Sequence, residues 1–122
     1  MQKTIKNKIK ISGKGLHTGI QTDILLLPAV INSGIKFKRV DLPDQPYVHA
    51  LIDNVHETNR RTVLREKDAI IETVEHILAA VFACSIDNLI IEINGPEIPI
   101  LDGSSKIFVE KIENAGIQDQ NQ

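Results

Sequence analysis

Glu75 and His76 stand side by side in the run Glu72-Thr73-Val74-Glu75-His76-Ile77-Leu78-Ala79-Ala80-Val81-Phe82-Ala83. A carboxylate can act as a general base and an imidazole can bind a metal ion, so together they could serve metal-assisted hydrolysis. Such chemistry needs a stiff mount. Val74, Ile77, Leu78, Val81 and Phe82 recur at i, i+3, i+4, i+7 and i+8, the apolar stripe of a helix buried on one side. The alanines favour the helix and allow close approach to its other faces. On that helix Thr73, His76, Ala80 and Ala83 share a face, with Glu75 about 100° round from His76. The same dipeptide also occurs as solvated helix surface, so its context must come from elsewhere in the chain.

Two stretches supply it. Ser12-Gly13-Lys14-Gly15-Leu16-His17-Thr18-Gly19 places a histidine among three glycines, where the backbone can lie close against another surface. That surface is either a substrate or the adjoining sheet. The spacing fits neither a dinucleotide fingerprint nor a P-loop. The second stretch is Glu97-Ile98-Pro99-Ile100-Leu101-Asp102-Gly103-Ser104, an extended run fixed by proline, with Asp102 expected at a helix N-terminus. There a carboxylate either caps the helix or orients a neighbouring imidazole or water.

Other candidates fall away. His49 and Asp53 have the i, i+4 spacing of a helical metal site, but they lie in and just after an extended segment, where four residues span roughly 13 Å. Ala80 occupies the place where a zincin helix needs its second histidine. Cys84 is the only cysteine, so no internal disulfide forms. At the end of an apolar helix it reads as a small hydrophobe, and its solitude suits a reducing, cytoplasmic setting. Lys plus Arg total 14 against 16 Asp plus Glu, a net charge of −2, which offers no general attraction to nucleic acid or anionic membrane. No apolar run is long enough for a transmembrane segment, and no signal peptide is evident. With no Trp and 3% aromatics the core must be Ile, Leu and Val.

The elements that hold these residues follow from periodicity. Residues 3–11 alternate lysine or polar groups with Ile5, Ile9 and Ile11, predicting one half-buried strand. Further strands are predicted over 22–27, 35–40 and 47–52, with a loop over 41–46. Residues 53–61 are polar and carry no clear pattern, while 62–71 read as a hairpin leading into the central helix. A buried strand over 88–93 follows, then the extended run, then a second helix opened by Asp102-Gly103-Ser104. Its inner stripe is Ile107, Phe108, Ile112 and Ala115, with Gly116 as a left-handed cap and a frayed polar tail over 118–122. The whole is one domain over 1–122, of α+β class: two layers, a mostly antiparallel sheet with two helices on one face.

Gly13-Lys14-Gly15-Leu16-His17-Thr18-Gly19, Thr73-Val74-Glu75-His76-Ile77-Leu78-Ala79-Ala80, Ile86-Asp87-Asn88 and the stretch from Glu97 to Ser104 together resemble the UDP-3-O-acyl-N-acetylglucosamine deacetylases. These are zinc amidases of lipid A biosynthesis, and the chain most resembles the form fused to a 3-hydroxyacyl-carrier-protein dehydratase. The resemblance implies two similar α+β domains packed helix layer to helix layer around Zn2+, of which this chain would be the first. It implies that His76 is a zinc ligand, that Glu75 is the general base, and that Asp102 and His17 lie near the active site in supporting roles. The family's remaining zinc ligands, a histidine and an aspartate on a helix of the second domain, have no counterpart here. Alone, the chain is therefore expected to be inactive. Its implied partners are a UDP-3-O-acyl-glucosamine substrate, the absent second domain, or a second copy of itself meeting the exposed helix layer. The competing reading is a non-catalytic binding module that keeps the fold without the chemistry.

Overall fold

A computed structural model describes residues 1–57 and 61–121. The strands and helices run β1 (Gln2–Ile5), β2 (Ile9–Lys14), β3 (Gln21–Pro28), β4 (Ile35–Arg39), β5 (Tyr47–His49), β6 (Val55–Glu57), β7 (Thr62–Glu66), β8 (Ala69–Glu72), α1 (Glu75–Ala83), β9 (Leu89–Ile93), α2 (Lys106–Ala115) and β10 (Ile117–Gln120). The main sheet has the order β2-β3-β9-β4-β5. Every pairing in it is antiparallel except β4 with β9, which lie parallel because β5 to β8 and α1 form the crossover between them. The fold is α+β, as expected.

Alternation builds the sheet. Ile9, Ile11, Ile24, Leu26, Phe37, Leu89, Ile91 and Ile93 are buried on one face. Their neighbours Lys10, Leu25, Leu27, Lys36, Lys38 and Ile90 alternate to the other face and are at least partly exposed. Ile77, Ala80 and Val81 of α1 and Phe108 and Ile112 of α2 join the inner row in one core cluster. A three-stranded meander, β6-β7-β8, leads into α1. The Arg39 guanidinium fastens it to the main sheet, holding both Asp41 carboxylate oxygens (2.9 and 2.8 Å) and the Ile70 carbonyl (2.8 Å).

Several boundaries differ from the sequence reading. Residues 3–11 form two strands in different sheets, because the chain bends at Lys6 and Asn7, which donate to the Gly116 and Ala115 carbonyls. The tail is paired along 117–120 with β1. The Asn88 side chain locks it there by donating to Gln2 and Gln120 (2.8 Å each). Gly116 has φ 87° but ψ 152°, so it turns α2 straight into β10 and is not a left-handed cap. The strand expected over 47–52 stops at His49 and continues as a 3-10 turn over Ile52–Asn54. Val55–Glu57, within the stretch that showed no pattern, is β6 because it pairs with β7. The rest of that stretch, 58–60, lies outside the described residues.

Phe82 is 65% exposed although it closed the predicted stripe. The buried arc of α1 is Ile77, Ala80 and Val81, entered from Val74. A residue one step past Val81 is turned about 100° away from that arc. The exposed apolar flank is consequently Ala79, Phe82 and Ala83, with Ala80 inside the core.

Candidate functional site

Glu75 is the first residue of α1 and His76 the second. The helix does not begin at Glu72, because that residue ends β8 and Thr73 adopts φ 60°. The entry is fastened to β7 instead. The Thr62 carbonyl accepts the amides of Thr73 (2.9 Å) and Val74 (3.3 Å), and the Thr62 amide donates to Glu75 Oε1 (3.3 Å). Glu75 and His76 are each half-buried. The His76 side chain makes no hydrogen bond among the described residues, which leaves its ring nitrogens available.

The other two motifs meet this entry through a group that sequence reasoning passed over. Glu97 is fully buried. Its Oε1 accepts the amides of Thr18 (2.8 Å) and His17 (3.1 Å), and its Oε2 accepts the Thr73 hydroxyl (2.5 Å). The glycine loop is thus pressed against a carboxylate of the chain itself. A Cβ on Gly15 would fall 2.2 Å from Glu97 Oε1, so only glycine fits there. On either side of Glu97 the extended run is laced between β8 and β2: Glu72 donates to Pro96, Ile98 to Glu72 and Ile100 to Lys14. Burial pushes the Glu97 carboxyl up, but the Thr73 hydroxyl and the Thr18 and His17 amides outweigh it and hold the group below its ordinary value. No local signal marked it, since the same run carries Asp102 as a second acid and the donors that surround Glu97 come from distant motifs.

His17 is half-buried, and its Nε2 is buried with no hydrogen-bond partner. Asp102 is exposed and does not cap the helix directly, since α2 begins at Lys106 behind Ser105. Its carboxylate accepts the Ser104 amide (3.1 Å) and hydroxyl (3.0 Å), which holds it below the usual carboxylate range. Three residues separate it from the helix because Gly103, at φ 81°, turns the chain there. The structure therefore joins His17 to the Glu75-His76 entry through Glu97 and leaves Asp102 without a hydrogen bond to any of them.

Among the described residues no three His, Cys, Asp or Glu side chains gather where they could hold a metal ion. His76 is a single donor, and a catalytic zinc site requires three protein ligands. The described residues do not by themselves fit the ion. His49 points its Nδ1 at Glu66 Oε1 (2.9 Å), away from any shared site with Asp53. Cys84 is half-buried, and burial with the nearby Glu113 charge raises its thiol pKa, the opposite of an activated nucleophile. No described helix is long and apolar enough to cross a membrane.

A family model described as LpxC: UDP-3-O-acyl N-acetylglycosamine deacetylase matches residues 2–122. The chain belongs to this family. The bifunctional enzyme LpxC/FabZ of Bacteroides thetaiotaomicron is 48% identical over 120 residues, which cover 98% of this chain and 26% of that relative. The UDP-3-O-acyl-N-acetylglucosamine deacetylase of Methylococcus capsulatus is 47% identical over 119 residues, 98% of this chain and 39% of its own length. That of Geotalea uraniireducens is 45% identical over 115 residues, 94% and 38%. The chain spans roughly a quarter to two-fifths of the length of these relatives. The deacetylase resemblance read from the glycine loop, the Glu75-His76 helix and the Glu97–Ser104 run is borne out at family level, and bifunctional relatives are among the matches.

Proposed function

We propose that this chain is the first domain of a zinc-dependent deacetylase that removes the N-acetyl group from UDP-3-O-acyl-N-acetylglucosamine in lipid A biosynthesis. The observation that carries the reading is the Glu75-His76 pair on the first turn of α1, in a chain of the deacetylase family. Glu75 acts as general base. It takes a proton from water as the water oxygen bonds to the acetyl carbon; the carbon–nitrogen bond then breaks, the amine gains a proton and acetate leaves. The Thr62 amide donates to Glu75 Oε1 and so holds the carboxylate in one orientation at the start of α1. His76 is the ligand this chain would give to zinc, and zinc when bound supplies a polarised carbonyl and a more acidic water. Its other ligands would come from outside the chain, so the 122 residues alone are expected to be inactive.

The test is activity of the polypeptide completed with the remainder of the family's length. Glu75→Ala should lose about 10²–10⁴-fold in rate while zinc content stays near that of the parent, and His76→Ala should lose both. Retention of more than roughly a tenth of the rate in Glu75→Ala, far above that range, removes Glu75 as the base. A completed polypeptide that never turns over would leave the binding-module reading in its place.

A further inference from the structure

Glu97 has no cation paired with it among the described residues. A carboxylate buried in that way is costly unless hydrogen bonds answer its oxygens. The donors that answer it come from two motifs far apart in sequence, the His17-Thr18 backbone and the Thr73 hydroxyl. The chain is shaped around this contact at some cost to itself. Gly15 leaves room for the carboxylate where any Cβ would collide. Thr73 sits at φ 60°, a region that β-branched residues rarely enter and that persists only where the surroundings over-determine it. Thr73 leads through Val74 directly to Glu75 and His76, so whatever fixes Thr73 fixes the first turn of α1. An apolar side chain could fill the same space but could not bind both motifs at once.

We propose that Glu97 is a positioning residue for the deacetylation. Its carboxylate locks the His17 loop onto the Thr73 entry of α1, so that the His17 imidazole and the Glu75-His76 pair stand in one fixed register. This rests on the function proposed above. Glu97 itself touches no substrate and moves no proton. The unpartnered Nε2 of His17 is the group this lock delivers: a buried orphan nitrogen is costly, and a ligand or the rest of the enzyme that reaches it relieves that cost.

Two measurements test the proposal. In the isotopically labelled chain, Glu97→Gln should move the His17 and Thr18 amide protons upfield, because a neutral acceptor replaces a charged one. The amides of Val74, Glu75 and His76 should move with them, while those of Ile91 and Ile93 in the sheet stay in place. In the completed enzyme the same variant should lower kcat about 10- to 100-fold, the usual cost of losing a partner that orients catalytic groups, with KM within about twofold since binding is little changed. Thr73→Val, which deletes the donor, should reproduce both effects, and Thr73→Ser, which keeps it, should restore them. The Thr73 pair also decides the matter if Glu97→Gln does not fold. Amides of 74–76 that ignore the substitution, or a kcat within about threefold of the parent, well short of the range for such partners, would overturn the positioning role. If the completed parent polypeptide has no deacetylase activity, the proposed function fails, and the coupling of loop to helix is still decided by the amide shifts.

Discussion

Gly15→Ala is a one-carbon perturbation whose cost can be worked from the structure. The new methyl would lie 2.2 Å from Glu97 Oε1 and 2.7 Å from both Glu97 Cδ and Thr18 Oγ1. Glu97 cannot swing aside, since it is fully buried and its other oxygen is held by Thr73. The φ of Gly15 is not in the left-handed region, so the penalty is steric and electrostatic and owes nothing to backbone preference. Displacing Oε1 weakens the two bonds it accepts from His17 and Thr18. Hydrogen bonds to charged groups contribute about 1.5–3 kcal/mol each, and overpacking adds about 1–3. After partial relaxation a loss of about 3 kcal/mol is expected, or roughly 10–15 °C in Tm for a domain of this size. Gly19 is the control, at φ 68° with nothing within 4 Å of its would-be Cβ, so alanine there should cost only about 1–2 kcal/mol for the left-handed backbone. Urea denaturation of the two variants beside the parent gives both numbers. A Gly15→Ala variant no less stable than Gly19→Ala would refute the packing of the loop on Glu97.

Because the Glu97 carboxyl is held below its ordinary value in the folded chain, its contribution is complete above the unfolded pKa, about 4.3, and is lost as pH falls through the folded one. Glu97→Gln should therefore flatten the acid limb of the stability curve below pH of about 4, and an unchanged difference between parent and variant from pH 7 down to 3 argues against it. Zinc in the isolated chain should be substoichiometric, since His76 stands without companion donors; one zinc per monomer by elemental analysis, lost in His76→Ala, would contradict the divided site. With Phe82 65% exposed beside Ala79 and Ala83, the uncovered helix flank should drive self-association that Phe82→Ser weakens. A chain that sediments as a monomer at high concentration, with that flank in water, counts against a covered helix layer.

Local pattern was enough for most of the elements. The alternation of Ile9 and Ile11, of Ile24 and Leu26, and of Leu89, Ile91 and Ile93 marked the strands, and the 3.6-residue recurrence of apolar residues marked α1 and α2. The Glu75-His76 pair and the family were legible as well, because a carboxylate and an imidazole inside an apolar helix, flanked by the glycine loop and the proline-fixed run, form an ordered set of motifs. What periodicity could not give was where each pattern stops. Phe82 continues the apolar recurrence yet faces solvent, since α1 starts at Glu75 and its buried arc is set by the sheet beneath it. The polar tail became β10 because β1, at the other end of the sequence, pairs with it, and Asn88 ties Gln120 to Gln2. Glu97 carried no local mark of its place. Its role is decided by three donors, His17, Thr18 and Thr73, that chain connectivity keeps at least 24 residues away and only the packed fold brings to one carboxylate.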